Sequence, residues 1–174
     1  GAKAKTYTKT MIREIDRING VVTNLLTFSQ PTQSNFHFCD INKLLEQALS
    51  LVELSIDKKQ IRVTQVMDPN LPAHWGDGEK LVQAFLNLLL NAVQAVNEGG
   101  EIALLTAFDP NRSIDKEGIA KGMIFVQIKN SGEPIPEEII SNLFDPFFTT
   151  KKDGTGLGLP ITHQIVMLHG GGVF

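Results

Sequence analysis

One cysteine, one tryptophan and one tyrosine stand in a chain of 174 residues, and each scarcity closes off a class of protein. A lone Cys39 cannot form an intrachain disulfide, which excludes a disulfide scaffold and suits a reducing compartment. The aromatics, 7% of the chain, are mostly phenylalanines that read as core, which argues against a base-stacking surface for single-stranded nucleic acid. Neither sign of charge dominates. Sixteen basic against nineteen acidic residues leave a formal net charge of −3, which argues against duplex nucleic acid as the main partner. No apolar run approaches the roughly 20 residues of a membrane-spanning helix, and no signal peptide opens the sequence. His37, His74, His163 and His169 lack metal-ligand spacing and cysteine companions, so they read as structural or surface groups. What remains is an ordinary globular composition, 42% hydrophobic and 20% charged, of a length that suits one domain with an added segment.

Periodicity organises the chain. Met11, Ile15, Ile18, Val22 and Leu25 alternate at spacings of four and three, a heptad seam, and Ile12, Val21, Leu26 and Phe28 widen it toward a bundle. This predicts a helix over residues 1–30, stopped by Pro31, and a linker over 31–39. A second helix is expected after Asp40, with Leu44, Leu45, Ala48 and Val52 on its buried face. Ile61, Val63 and Met67 alternate as a strand. Asp77 is a good cap for a longer helix over 78–96, stopped by Gly99 and Gly100. Two strands, 101–107 and 123–129, are joined by the polar stretch 109–122 as a loose hairpin. A short helix over 136–143, a glycine-rich loop over 154–158 and a last helix ending at Gly170 complete the pattern. Strands separated by helices, with one hairpin pair, predict a mixed sheet covered by helices, an α+β fold.

The helix from Gly78 carries an unusual stripe. At about 100° per residue its apolar side chains cover most of the circumference. The narrow remainder holds Gln83, Asn87, Asn91 and Gln94, all uncharged. A face open to bulk water normally carries Glu and Lys, which are also better helix formers than Asn. Two readings stand open: a satisfied polar seam on a buried helix, or a floor of neutral oxygen ligands. Mg²⁺ wants hard oxygens and takes its remaining ligands from water and phosphates.

Period two carries the face of Ile124, Val126 and Ile128 on to Asn130, which should project into the covered side before Ser131-Gly132 turns. A buried amide there needs partners. An adenine edge is one, and a turn-stabilising role is the plainer alternative. Gly154, Gly156 and Gly158 at alternate positions allow close backbone approach just before a helix start, which offers N–H groups to an anion. The spacing matches neither a Walker loop nor the dinucleotide fingerprint. Upstream, Thr149, Thr150, Lys151 and Lys152 could bring hydroxyls and positive charge to a phosphate, or form an ordinary solvated loop.

In order, the chain carries Asn87-Leu88-Leu89-Leu90-Asn91-Ala92, Asn130-Ser131-Gly132, Phe144-Asp145-Pro146-Phe147-Phe148 and Gly154 to Leu159. This series resembles the N, G1, F and G2 boxes of sensor histidine kinases, in the Bergerat-fold ATPase superfamily, and is most similar to the nitrogen-regulation type. The resemblance implies a two-layer α/β sandwich over 40–174, preceded by the second helix of a dimerisation and phosphotransfer hairpin over 1–30. It implies ATP and Mg²⁺ as cofactors, with Asn91 on the metal, Asn87 helping at the metal and phosphates, and Asn87 and Lys151 as the catalytic residues. Gln94 and Ala95 would line the nucleotide. Asn130 and Gly132 would meet the adenine, with Ile135, Leu143 and Phe144 as an apolar wall. Residues 143–153, with Thr150 and Lys151, would form a mobile lid hinged by Gly154, Gly156 and Gly158, which would admit the phosphates, with Thr155, Leu157 and Leu159 also in the nucleotide-binding loop. The implied partners are an acceptor helix bearing a histidine, a response regulator receiver domain and a second copy of the chain. The implied setting is cytoplasmic, with anchoring of the parent protein left open.

Three departures bear on this. The family's G1 box usually opens with Asp, where this chain has Asn130. None of the four histidines has the acidic neighbour and following Asn-Pro or Thr-Pro of a phosphoacceptor, so the acceptor helix is expected before Gly1. Two further strands expected after the Gly170-Gly171 pair do not follow. Hydrolases of the superfamily carry a water-activating Glu where this chain has Asn87, which cannot act as a base near neutral pH and so favours a kinase. A catalytically silent nucleotide-binding module, or a helical dimerisation segment carrying a silent domain, would also fit the same sequence.

Overall fold

The longest helix among the described residues sets the frame. In the computed structural model, which describes Tyr7 and residues 34–114, 120–151 and 154–174, helix α3 spans Gly78–Ala95. Asp77 caps it, its carboxylate accepting from the Lys80 N–H at 3.2 Å. Leu81, Val82, Ala84, Phe85, Leu89, Ala92 and Val93 are buried along one broad side. They meet Ile41, Leu45 and Ala48 of α1 (Ile41–Ser50), which Asp40 caps as its sequence suggests, and Ile161 and Ile165 of α5 (Gly158–Leu168). Val52 is buried as expected, but it sits in a break between α1 and a short helix α2 (Glu53–Lys58).

The helices cover one face of a three-stranded mixed sheet of order β2-β4-β5, formed by Arg62–Val66, Glu101–Ile114 and Ala120–Asn130. Strand β2 runs parallel to β4, and β5 antiparallel to it. Ile102 and Leu104 point into the core with no exposed surface, and Val63, Ile124, Val126 and Ile128 pack against it. This is the α+β sandwich the patterning predicts. The hairpin is longer than its polar sequence suggests. Pairing resumes at Ser113–Lys121 after an irregularity that begins at Asp109. Pro110, which has no N–H to give a ladder, lies inside it.

Two elements escape the sequence pattern. His37–Cys39 (β1) and His74–Gly76 (β3) pair antiparallel as a separate ribbon, so the expected linker ends before His37. The short helix of 136–143 is one turn, α4 (Glu137–Ile140), followed by turns. The seam helix of 1–30, apart from Tyr7, and Lys152 lie outside the described residues.

Buried polar groups join these parts. Thr106, 3% exposed, donates to Asn42 Oδ1 at 2.8 Å and accepts from the Asp68 N–H at 3.0 Å, while Asn42 donates to the Asp68 carbonyl at 2.8 Å. The Lys59 ammonium reaches the carbonyls of Val93 at 2.8 Å and Val96 at 2.9 Å, closing the C-terminal end of α3.

Candidate nucleotide site

The uncharged stripe of α3 is where the chain brings distant segments together. Gln83, Asn87 and Asn91 are half-buried and Gln94 is exposed. One turn separates Asn87 from Asn91, so their carboxamides stand one above the other.

Asn87 faces the start of α5. Its Nδ2 donates to the Gly158 carbonyl at 3.2 Å, and the buried Thr162 hydroxyl donates to the same oxygen at 2.9 Å. Leu157, 1% exposed, anchors the loop in the core just before this point. No side chain caps α5 at its N-terminus, and Pro160 carries no N–H. The N–H groups of Gly158 and Leu159 thus have no intrahelical acceptor and stand at the positive end of the helix, as an anion site requires.

Asn91 and Gln94 face residue 151. The Lys151 ammonium donates to Asn91 Oδ1 at 2.8 Å and to Gln94 Oε1 at 2.6 Å. Residue 151 is exposed as a whole, but burial of its ammonium against the helix lowers its pKa from the ordinary lysine value. The two carboxamide oxygens therefore already hold a cation.

The loop between them is built on glycine at one decisive position. Gly156 has φ +66°, and a Cβ there would lie 2.3–2.7 Å from backbone atoms of Phe147. Phe147, itself at φ +68°, donates its N–H to the Gly156 carbonyl at 2.9 Å. The Phe144–Phe148 segment and the glycine loop thus lie backbone to backbone. Thr149 closes its own turn by accepting from the Lys151 N–H at 3.1 Å.

Asn130 lies where period two places it, on the covered face, paired with the fully buried Ile102. Unlike the buried amide anticipated from the pattern, it is exposed, because it stands at the strand end beside the last turn of α3. A Cβ at Gly132 would meet the Ala95 carbonyl at 2.5 Å and Asn130 Nδ2 at 2.8 Å, so Ala95, Asn130 and Gly132 share one spot. Of the expected apolar wall, Leu143 and Phe144 are half-buried and Ile135 is 53% exposed. Phe144 packs on the ring of His163 at 5.1 Å. Thr150 is exposed, and Thr155 and Leu159 are half-buried in and after the loop.

Sequence reasoning missed the clamp behind the site. The Asp77 N–H donates to His169 Nε2 at 2.9 Å, and His169 Nδ1 donates to the Ile165 carbonyl at 2.7 Å, which places the ring proton on Nδ1. Phe36 stacks on His169 at 5.1 Å, and the Asn35 N–H reaches Asp77 Oδ2 at 3.1 Å. Burial and the nearby His169 lower the pKa of His74, the third ring in this cluster. These contacts join the residues before β1 to the start of α3 and the end of α5. No sequence signal marks them, since the partners lie as far apart as Phe36 and His169.

Among the described residues, no helix is long and apolar enough to cross a membrane, and no cluster of His, Cys, Asp or Glu could hold a metal ion. The carboxamide oxygens of Asn87 and Asn91 are hard neutral donors of the kind that suit a metal sharing its coordination with phosphates.

Comparison with known proteins places the chain in a family. Residues 76–174 match the family of histidine kinase-, DNA gyrase B-, and HSP90-like ATPases. The sensor histidine kinase ZraS of Escherichia coli (strain K12) is 34% identical over 171 residues, covering 98% of this chain and 34% of that protein. The sensory histidine kinase/phosphatase NtrB of Rhizobium leguminosarum bv. phaseoli is 34% identical over 173 residues, covering 96% of this chain and 45% of that protein. The chain thus spans less than half the length of these relatives. The solved catalytic domain of histidine kinase ThkA superposes with a TM-score of 0.64 at 32% identity, covering 78% of this chain and 82% of that one. ThkA in complex with the response regulator protein TrrA gives a TM-score of 0.72 at 28% identity, covering 95% of this chain and 44% of that one. The chain belongs to the histidine kinase-, DNA gyrase B-, and HSP90-like ATPases, and within them to the ATP-binding catalytic domains of sensor histidine kinases.

Proposed function

We propose that this domain binds Mg²⁺–ATP on the α3 floor and passes the γ-phosphoryl group to a protein histidine, from which it moves to a response regulator. Asn91 carries the metal. Asn87, Lys151 and the glycine loop from Gly154 to Leu159 take the phosphates. Gln94 and Ala95 line the nucleotide, and Asn130 and Gly132 read the adenine with Ile135, Leu143 and Phe144 as wall. Thr150 adds a hydroxyl beside Lys151. The metal, when bound, neutralises phosphate charge; the residues of this chain orient the nucleotide and contribute no general base.

The single observation that carries this reading is the Lys151 ammonium held between Asn91 Oδ1 and Gln94 Oε1. It is a cation resting on a floor of neutral oxygens, next to the positive end of α5. That donor set fits a metal whose charge is balanced by phosphates. Asn87 in place of a carboxylate keeps water from being activated, which suits transfer to a protein over hydrolysis.

The acceptor is not among the described histidines. His169 has both ring nitrogens engaged, and none of the four stands in an acceptor context. It belongs to a hairpin whose second helix is residues 1–30, with a linker that ends before His37 and the catalytic domain running on to 174, and this helix mediates a homodimer. The test is calorimetric titration with a non-hydrolysable ATP analogue, with and without Mg²⁺, on the chain and on Asn91→Ala. Binding that requires Mg²⁺ and weakens in the variant is expected. Labelling from radioactive ATP should appear only when an acceptor hairpin is added, and labelling of the chain alone would sink the assignment. Asn130 favours a second reading, a silent nucleotide-binding module, for which binding without any transfer to the supplied hairpin is the signature.

A further inference from the structure

We infer that the base pocket at Asn130 does not discriminate at position 6 of a purine, so that it takes 6-oxopurine nucleotides as well as adenine nucleotides. The inference rests on the proposed nucleotide site and concerns the substrate class of that same site.

The first observation removes the plain explanation for Asn130. An Asn at a strand end commonly serves the turn. Here Ser131 holds it: the Glu101 N–H donates to Ser131 Oγ at 2.8 Å, and the Ser131 N–H donates to the Glu101 carbonyl at 2.9 Å. Among the described residues, no hydrogen bond holds the Asn130 amide. The second observation is position. Asn130 pairs with the fully buried Ile102, so its side chain lies on the helix-covered face, yet it is exposed there, beside Ala95 and Gly132. Gly132 clears this spot, since a Cβ would fall within 3 Å of both the Ala95 carbonyl and the Asn130 amide.

Chemistry supplies the rest. A carboxamide presents an acceptor and a donor side by side. Adenine offers an amino donor at position 6 beside the acceptor N1. Guanine and hypoxanthine offer the reverse, an oxo acceptor at position 6 beside an N1–H donor. Rotation about the Cβ–Cγ bond exchanges Oδ1 and Nδ2, and this terminal torsion is broad and soft. A carboxamide held by neighbours shows a base one pattern only. The Asn130 amide is held by none of the described residues and can match either edge. Strong rejection of an analogue arises when a site's polar group is left unpaired, and here neither base leaves one.

Calorimetric titration of this chain with the Mg²⁺ complexes of ADP, IDP and GDP tests the inference. IDP carries the 6-oxo group without the 2-amino group of guanine, which isolates the position in question. IDP is expected to bind within about tenfold of ADP. Asn130→Asp, an acceptor at both oxygens, should retain ADP and widen the ADP-to-IDP ratio to about a hundredfold. Rejection of IDP by a hundredfold or more in the unaltered chain, or an unchanged ratio in Asn130→Asp, would overturn the inference while leaving the nucleotide site intact. Failure of ADP itself to bind would overturn the site. The unaltered chain decides the matter even if the variant does not fold.

Discussion

The Lys151 ammonium lies 2.8 Å from the side-chain oxygen of Asn91, across 60 positions of sequence. It ties the segment after the Phe147–Phe148 turn to the C-terminal part of α3, at the oxygen assigned to the metal. Replacing it with Met leaves Asn91 and Gln94 without their cation and the segment without its tie. Affinity for the Mg²⁺–ATP analogue in Lys151→Met should fall by about tenfold, a modest loss for a charged contact at an exposed residue. Hydrogen exchange at residues 147–157 should accelerate in the nucleotide-free chain. Exchange identical to that of the unaltered protein would show that this contact does not restrain the loop.

In the proposed function, Asn87 is the residue that favours transfer over hydrolysis. Asn87→Glu places a carboxylate one turn before Asn91 and replaces the bond to the Gly158 carbonyl with a repulsive contact, though Thr162 continues to donate to that oxygen. Phosphate release from ATP should rise above the unaltered chain, measured at matched nucleotide saturation. A variant that binds nucleotide yet releases no more phosphate would remove Asn87 from the argument against a hydrolase.

Gly156 cannot carry a side chain without cost. At φ +66° an alanine is strained by about 1–2 kcal/mol, and its Cβ would fall within 2.3–2.7 Å of the Phe147 backbone. Gly156→Ala should separate the loop from the Phe147 turn and lower the urea midpoint. It should weaken nucleotide binding more than Lys151→Met does. Binding equal to that of the unaltered chain would show that this junction does not shape the site.

His74 predicts the direction of a pH effect. Its folded pKa lies below the ordinary histidine value of 6.5, chiefly through burial and secondly through His169. The unfolded chain therefore binds the proton more readily. The stabilising contribution is complete above about pH 6.5 and is lost as pH falls through the lower folded value. Urea unfolding between about pH 7.5 and 5 should show a steeper loss in the unaltered chain than in His74→Gln. Parallel curves would assign the loss to other groups.

Much of this protein is legible in its residues alone. Asp40 and Asp77 announce their helices, since an acidic side chain before an apolar periodic run has one obvious partner, the free N–H groups of the first turn. Alternation in β2 and β5 locates the sheet, and the uncharged stripe of α3 stands out because solvent-facing helices rarely forgo charge. These are local signals, with cause and effect within a few residues.

Tertiary structure alone decided the rest, because its causes are not local. The ribbon of β1 and β3 is three residues per strand, too short to alternate, and exists through a pairing that joins His37 to Gly76. Lys59 reads as one of two adjacent lysines until its ammonium meets carbonyls 34 and 37 positions away. Period two places Asn130 on the correct face but cannot say that it is exposed there or that Ser131 holds the turn. Lys151 is legible as a charge near phosphates. That its ammonium rests on Asn91 and Gln94 was fixed only when the chain folded the segment after α4 back over α3.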